Sequence, residues 1–354
     1  MQSETVFRNK AFSHIYVEDR ILNIEQYRGR AEEILKHFPE AEVVAIDHYK
    51  DVFNRHKQNY VMQHESQALI LALKQGNFVY PGAEVCQNMG NKHFYYASCM
   101  MNCLFDCEYC YLKGMYPSGN MVIFLNLEDI FTEVLGLLEK HPVYLCVSYD
   151  TDLMAVESLT GYVKKWIEFT SAHPELIIEI RTKAGNVDFR NLLPVYKDGM
   201  TDGGGRVIFA FTLSPEYVVS HYEHRTGSLE NRIRAVKQAL ELGFTVRLCF
   251  DPMIYCPDWR KEYGSMLERV FSEIQMDRVY DLSVGSFRLS EEYLKAMRRN
   301  MPDSAVVQYP YQNDHGVYHY SEKLTDEMEK WLVSRLAEKV PVDRIFRWQD
   351  QDRG

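Results

Sequence analysis

The chain has 354 residues, 46% of them hydrophobic and 13% aromatic, with 40 basic against 50 acidic side chains and a formal charge of −10. That is ample apolar material for a large buried core, and length alone allows one big α/β domain or two ordinary ones. The acidic balance excludes broad, non-specific attraction to nucleic acid or anionic membrane, leaving room only for a local basic cleft.

In chain order, the first eighty or so residues read as a small α/β unit. HIYVEDRI is a strand, NIEQYRGRAEEILKHF a helix and EVVAID a strand; a polar approach through HKQNYVMQHES then leads to a second expected helix. From Phe94 the pattern becomes regular, with short β-branched apolar runs alternating with amphipathic stretches. The runs are HFYYASC, PVYLCVSYD, LIIEIRTKA, RVIFAFTLS, TVRLCFDPM and VYDLSVGSF. Six β/α units in series predict a parallel sheet curled into a partial (β/α)6, TIM-like barrel with its functional groups at the carboxyl ends of the strands. Beyond it, QYPYQNDHGVYHY reads as a hairpin turning at Asp314-His315-Gly316, and TDEMEKWLVSRLAEKV as a last amphipathic helix. The fold class expected is therefore α/β: an N-terminal unit over 1–88, the barrel over 89–300 and a hairpin-and-helix extension over 301–354. Residues 1–20 contain no apolar h-region, and no run reaches the roughly 18 apolar residues of a membrane span, so a cytoplasmic chain is expected.

Eight cysteines in so long a chain are too few for a disulfide scaffold, and four of them, Cys99, Cys103, Cys107 and Cys110, fall in twelve positions. Such clustering indicates metal or cluster ligation in a reducing compartment. Two readings compete. All four thiolates can enclose a structural zinc ion, which makes a binding protein without catalysis. Alternatively Cys103, Cys107 and Cys110, spaced CxxxCxxC just after the first barrel strand, hold three irons of a [4Fe-4S] cluster and leave the fourth iron open to another ligand. Structural zinc sites usually come as two separated knuckles, and the single compact run here favours the cluster.

CxxxCxxC at this place in a partial barrel resembles the radical S-adenosylmethionine enzymes. Within them, CEYCYL followed by VIFLNLEDIF, SYDTDLMAVESLTGYVKKWIEF, IRTKAGNVDFRNLL and FTLSPEYV with EHRTGSLENRI is similar to the spore photoproduct lyase family, in the same order. The resemblance implies that Cys103, Cys107 and Cys110 ligate a [4Fe-4S] cluster whose open iron binds S-adenosyl-L-methionine. An electron donor such as a flavodoxin or ferredoxin would then release a 5'-deoxyadenosyl radical that reverses a thymine dimer lesion in DNA. It also places Lys183 and Thr212 at the cofactor, with Ser148 nearby, and makes Tyr109 and Tyr111 a relay beside the cluster. Taken singly, a strand-end lysine or threonine is more often a solvated or capping residue.

Two features depart from the family. Its hydrogen donor is a cysteine on the second strand, where alignment on Asp152 places Tyr149. Tyr149 is then a replacement donor, or the role has moved to Cys146, Cys249 or Cys256, of which Cys256, just beyond the fifth strand, is the better placed. Cys86 and Cys99 receive no role. The family's carboxyl-terminal hairpin is also basic, whereas here it offers tyrosines, two histidines and an aspartate. Phosphate contacts would fall to Arg225, Arg232, Arg234, Arg298 and Arg299, and at least half of the tyrosines are expected to be ordinary packing. The acidic balance and Tyr149 motivate an alternative: the same radical machinery acting on another nucleotide or a peptide.

Overall fold

The structure is a computed structural model and describes residues 12–83, 85–199 and 205–348, with side chains omitted at 197–199. The first eleven residues and the last six of the expected C-terminal extension lie outside it.

Two sheets carry the molecule. The smaller contains β1 (His14–Glu18), β2 (Glu42–Ile46) and β3 (Leu69–Ala72). The larger begins with β4 (Val79–Pro81) and β5 (Phe94–Ala97). The chain then returns to the smaller sheet through β6 (Met100–Met101), passes a two-residue strand outside both sheets, β7 (Asp106–Cys107), and adds β8 (Met121–Phe124). The small sheet is ordered β2-β1-β3-β8-β6, all parallel except the β6–β8 edge. Sheet membership thus crosses residue 88 in both directions. LILA, within the stretch expected as a second helix, is the fully buried centre of this sheet, and the helix of this region is the short Tyr60–Glu65 before it. A brief apolar run buried on both faces has no periodicity to distinguish the two states, and the pairing partners on either side decide.

The large sheet continues with β9 (Val143–Cys146), β10 (Leu176–Thr182) and β11 (Val207–Thr212). A short β12 (Glu223–His224) interrupts it before β13 (Thr245–Met253) and β14 (Asp281–Ser286). β5, β9, β10, β11, β13 and β14 lie side by side in that order and parallel, matching the six runs read from the sequence. Every residue of β9, β11 and β14 is buried, as expected of strands covered on both faces. Crossover helices cover the outside: Leu127–Leu138, Leu153–Thr160 with Tyr162–Ser171, Leu229–Leu242 and Trp259–Glu273. Gly161, at φ 62°, takes the left-handed turn that splits the second crossover into two helices, a conformation that costs glycine least.

The C-terminal segment closes over the strand ends. β15 (Arg288–Ser290), β16 (Gln312–Asp314) and β17 (Val317–His319) form a three-stranded antiparallel sheet, and β18 (Ile345–Arg347) completes the edge of the barrel next to β14. The expected hairpin is β16–β17. Its two central residues, His315 and Gly316, have φ of 50° and 84°, the signs that a tight two-residue turn requires. The last helix, Glu322–Leu336, starts at Ser321, whose hydroxyl accepts from the Leu324 N–H at 3.3 Å.

Candidate active site

The cysteine loop is held by groups far apart in sequence. After β6, Asn102 adopts φ 65° and is fully buried. Its amide donates to the Ser118 and Asn120 carbonyls at 2.7 and 2.6 Å and accepts from the Tyr60 hydroxyl at 2.9 Å, which fixes the reversal that presents Cys103. The Cys103 carbonyl accepts from the Gln67 amide at 3.1 Å, with His64 Nε2 at 3.0 Å. Cys107 lies in β7, which pairs antiparallel with β12, so that Cys107 faces Glu223. Cys110 follows one turn on, its N–H donating to the Cys107 carbonyl at 3.1 Å. Asp106 forms an ion pair with Lys113 and lies 3.5 Å from His64 Nδ1.

The three thiols open into a cavity of about 1180 Å³ at the carboxyl ends of the barrel strands. All nine residues singled out in the sequence line it: Cys103, Cys107 and Cys110; Tyr109, Tyr111 and Tyr149; Ser148, Lys183 and Thr212. Burial raises all three thiols, Cys107 to about 12, so they are neutral until a metal takes the proton's place. All eight cysteines are free thiols. Cys99 is not among the lining residues; its Sγ–H points to the Val147 carbonyl at 3.7 Å. Of the four clustered cysteines, therefore, three reach the cavity, which does not complete the four-thiolate zinc reading. Among the described residues, no three His, Cys, Asp or Glu side chains converge as a single ion requires. Three separated thiols around one large cavity fit a group larger than one ion.

Behind the thiols lies a charged lattice. Glu223, 2% exposed, accepts from the Tyr109 hydroxyl, from Ser214 Oγ at 2.8 Å and from Arg232. Burial raises this carboxyl, and Arg232 and Lys183 outweigh burial, holding it below the usual range. Arg232 also donates to the carbonyls of Gly227 at 2.7 Å and Thr212 at 3.1 Å and to Thr226 Oγ1 at 2.6 Å. Burial opposes the charge of Lys183, and Cys107 and Glu223 more than offset it, so the ammonium is retained; it stands 5.4 Å from the Tyr109 ring centroid. Asp152 fixes the floor: it caps the helix at Leu153 through Ala155 N–H at 3.1 Å and accepts from Lys183 N–H at 2.7 Å and Thr182 Oγ1 at 2.9 Å. The Ser148 hydroxyl accepts from Arg181 N–H at 2.6 Å.

Tyr149 sits in an aromatic sandwich. Its ring stacks on Tyr96 at 4.0 Å between centroids, and Tyr111 lies at 5.2 Å. The Tyr111 hydroxyl donates to the Tyr149 carbonyl, whereas the Tyr149 hydroxyl meets Cys86 Sγ at 3.4 Å. Cys86 also lines the cavity. Nothing in its neighbourhood along the chain marks it; the segment between β4 and β5 carries it in from the edge of the barrel, where its neighbour Val85 is tied by its carbonyl to Arg288 Nε at 2.8 Å.

The other sequence candidates take different places. Cys256 is buried and does not reach the cavity, nor does Cys249. Cys146 does reach it: β9 ends at Cys146, so the alternation of a strand does not set Cys146 and Tyr149 on opposite faces. Arg232 is fully buried, and Arg298 is spent on the Val307 and Tyr309 carbonyls and stacks over Tyr318. Arg225 donates to the His64 carbonyl and Arg234 pairs with Glu230. Tyr309, Tyr311 and Tyr320 pack with Phe287, the ordinary role expected for at least half of these tyrosines, while the hairpin tip at His315 and Gly316 borders the cavity.

A partial barrel whose carboxyl-end cavity receives a CxxxCxxC loop defines a radical S-adenosylmethionine-type enzyme. Residues 92–345 match the family model of spore photoproduct lyase, and the chain belongs to that family. It is 23% identical over 256 residues to a spore photoproduct lyase of Geobacillus sp., covering 69% of this chain and 73% of that protein. It is 24% identical over 266 residues to the one of Clostridium acetobutylicum, covering 72% and 75%. The fold superposes on a solved spore photoproduct lyase complexed with dinucleoside spore photoproduct at a TM-score of 0.77, covering 96% of this chain and 99% of that one at 16% identity. A further solved relative, a double mutant with bound AdoMet and dinucleoside spore photoproduct, superposes at 0.74 and 18% identity.

Proposed function

We propose that this protein repairs the spore photoproduct, a methylene-bridged thymine dimer in DNA, by radical S-adenosylmethionine chemistry as a carbon–carbon lyase. The observation that carries the proposal is the opening of Cys103, Cys107 and Cys110 into one cavity with Ser148, Lys183, Thr212 and Tyr149, in a chain of this family. Cys103, Cys107 and Cys110 would hold a [4Fe-4S] cluster, which with S-adenosyl-L-methionine bound supplies the 5'-deoxyadenosyl radical. Lys183, kept charged by the anionic groups around it, would offer its ammonium to the anionic end of that cofactor, and Thr212 lines the same cavity. Asp152 holds the Thr182–Lys183 strand end in place, which keeps that charge at a fixed position. Tyr149, which lines the same cavity, would return a hydrogen atom to the substrate, with Tyr111 packed against it and Tyr109 also on the cysteine loop.

The cavity accepts a dinucleotide-sized lesion lifted from its helix, and the hairpin tip at His315 and Gly316 stands at its rim to hold the duplex open. With few uncommitted arginines around it, the site reads the lesion more than the backbone, and weak affinity for undamaged DNA follows. No helix among the described residues is long and apolar enough to cross a membrane. Free thiols throughout suit the reducing cytoplasm, where a flavodoxin- or ferredoxin-type protein would be the electron donor.

The test is anaerobic reconstitution with iron, sulfide and S-adenosylmethionine, a reductant and the dinucleoside spore photoproduct, read by chromatography with mass detection. Restored thymidine pairs are the expected product. If 5'-deoxyadenosine forms and the lesion persists, the substrate assignment fails and another nucleotide or a peptide takes its place.

A further inference from the structure

The eight-stranded sheet does not close on itself; β4 and β18 are its edges, and the segment between β4 and β5 enters the opening. Two anchors hold that segment. Its Val85 carbonyl accepts from Arg288 Nε at 2.8 Å, and Met89, buried, packs on Tyr144 and Ile208 with Phe346 of β18 beside them. Gln87 lies between the anchors and lines the cavity, 4% exposed, and among the described residues its Oε1 has no hydrogen-bond partner. Buried polar atoms are almost always bonded in native proteins, so an orphan aimed into a cavity marks the place of a polar ligand.

Arg181 opens into the same cavity from β10. It shares the inward face of the strand with Glu179, two residues earlier, and its Nε and Nη2 lie 3.0 and 2.9 Å from one and the same Glu179 oxygen. The other oxygen of Glu179 accepts from the Tyr144 hydroxyl at 2.6 Å and from Arg247, which is bidentate to Asp281. The Nη1 edge of Arg181 is thereby left to the cavity, and its side chain is 32% accessible where Glu179 and Arg247 beneath it stand at 3% and 2%. Burial opposes the charge and Glu179 outweighs it, so the guanidinium is retained. Burial also raises the Cys86 thiol, and Arg181 is among the cations that draw it back, which sets the guanidinium near the segment that carries Gln87.

Resting on the function read above, we propose that Gln87 and Arg181 are the pair that determines specificity by reading the imide edge of a thymine ring in the lesion. An imide presents a carbonyl, an N3–H and a second carbonyl in a row, and both rings of the lesion keep it. Gln87 Oε1 accepts the N3–H, and Arg181 Nη1 donates to a flanking carbonyl. Enzymes that take a base out of its helix read it in this manner, by bonds to the edge that base pairing had used. A site built to bond a substrate N–H rejects the analogue that lacks it, because its own buried polar atom is then left unpaired.

The experiment measures equilibrium binding to the reconstituted enzyme with S-adenosylmethionine and no reductant. Its probes are the dinucleoside spore photoproduct and the same compound methylated at N3 of both rings. Methylation should weaken binding to the wild type by about tenfold or more. Gln87→Ala, which removes the acceptor and makes room for the methyl group, should bind the two probes alike. Arg181→Met should bind the unmodified lesion about tenfold more weakly, with Glu179 still held by Arg247 and Tyr144. Equal binding of the two probes by the wild type needs no variant and overturns the proposal. So does a wild-type preference that survives in Gln87→Ala, or undiminished affinity in Arg181→Met. Repair activity separates the two levels of the reading. A wild type that forms 5'-deoxyadenosine with reductant and neither binds nor converts the lesion overturns the functional reading and this pair with it, whereas one that repairs both probes equally well overturns the pair alone.

Discussion

Glu223→Gln tests how the cysteine loop is anchored. The carboxylate is a fully buried hub: one oxygen accepts from Tyr109 and Ser214, the other from Arg232. Glutamine keeps the shape and can turn its oxygen to Arg232 and its NH2 to the Tyr109 and Ser214 hydroxyls, which can also accept, but it removes the negative charge that Arg232 faces. Breaking a buried ion pair by removing one partner typically costs 3–5 kcal/mol, and Arg232 retains three other acceptors here, so a loss of about 3 kcal/mol is expected. Because Glu223 belongs to β12, which pairs with Cys107 in β7, the same change should loosen the loop and lower iron retained per chain. The assay is urea unfolding of the cluster-free protein together with iron content after anaerobic reconstitution. Adding Arg232→Leu removes the stranded charge, so the double variant should be less damaged than the sum of the singles by about 1–3 kcal/mol. A single-variant loss under about 1 kcal/mol, or strict additivity, would refute the account of Glu223 as an electrostatic anchor.

Further outcomes can be checked with simple measurements. Cys107→Ala should abolish cluster assembly, read as loss of iron, sulfide and brown colour, because each thiolate fixes one iron; retention of a full cluster refutes the ligand assignment. Burial lifts the Asp150 carboxyl to about 6, so its contribution to stability is complete below the ordinary unfolded value and is lost as the pH rises through 6. The loss amounts to about 3 kcal/mol, and Asp150→Asn should remove it, flattening the unfolding free energy between pH 4 and pH 8 by that much. A Cβ at Gly114 would stand 2.4 Å from the Tyr293 carbonyl oxygen, so Gly114→Ala must push the helix after the cysteine loop off its neighbour. A destabilisation of about 1–3 kcal/mol is expected in thermal or urea unfolding, and an unchanged midpoint would show that the two helices can part freely.

The sequence by itself determined the six parallel barrel strands, because strands buried on both faces must be continuously apolar and their crossover helices amphipathic, and both patterns are local. It also determined the three thiols proposed to hold the cluster, whose spacing is a property of one loop, and the hairpin turn at His315-Gly316. Only the tertiary structure decided which sheet β3 and β8 join, since a buried run of four apolar residues has no period of its own. The charged hub of Glu223, Arg232 and Tyr109 was equally invisible, being assembled from three segments whose charges look solvated when read singly. So was the meeting of Cys86 with Tyr149, 63 residues apart along the chain. Alternation along β9 could not place Tyr149, because the strand ends before it. A cysteine's reactivity depends on what faces it across a cavity, and that is fixed by the packing of the barrel's edge.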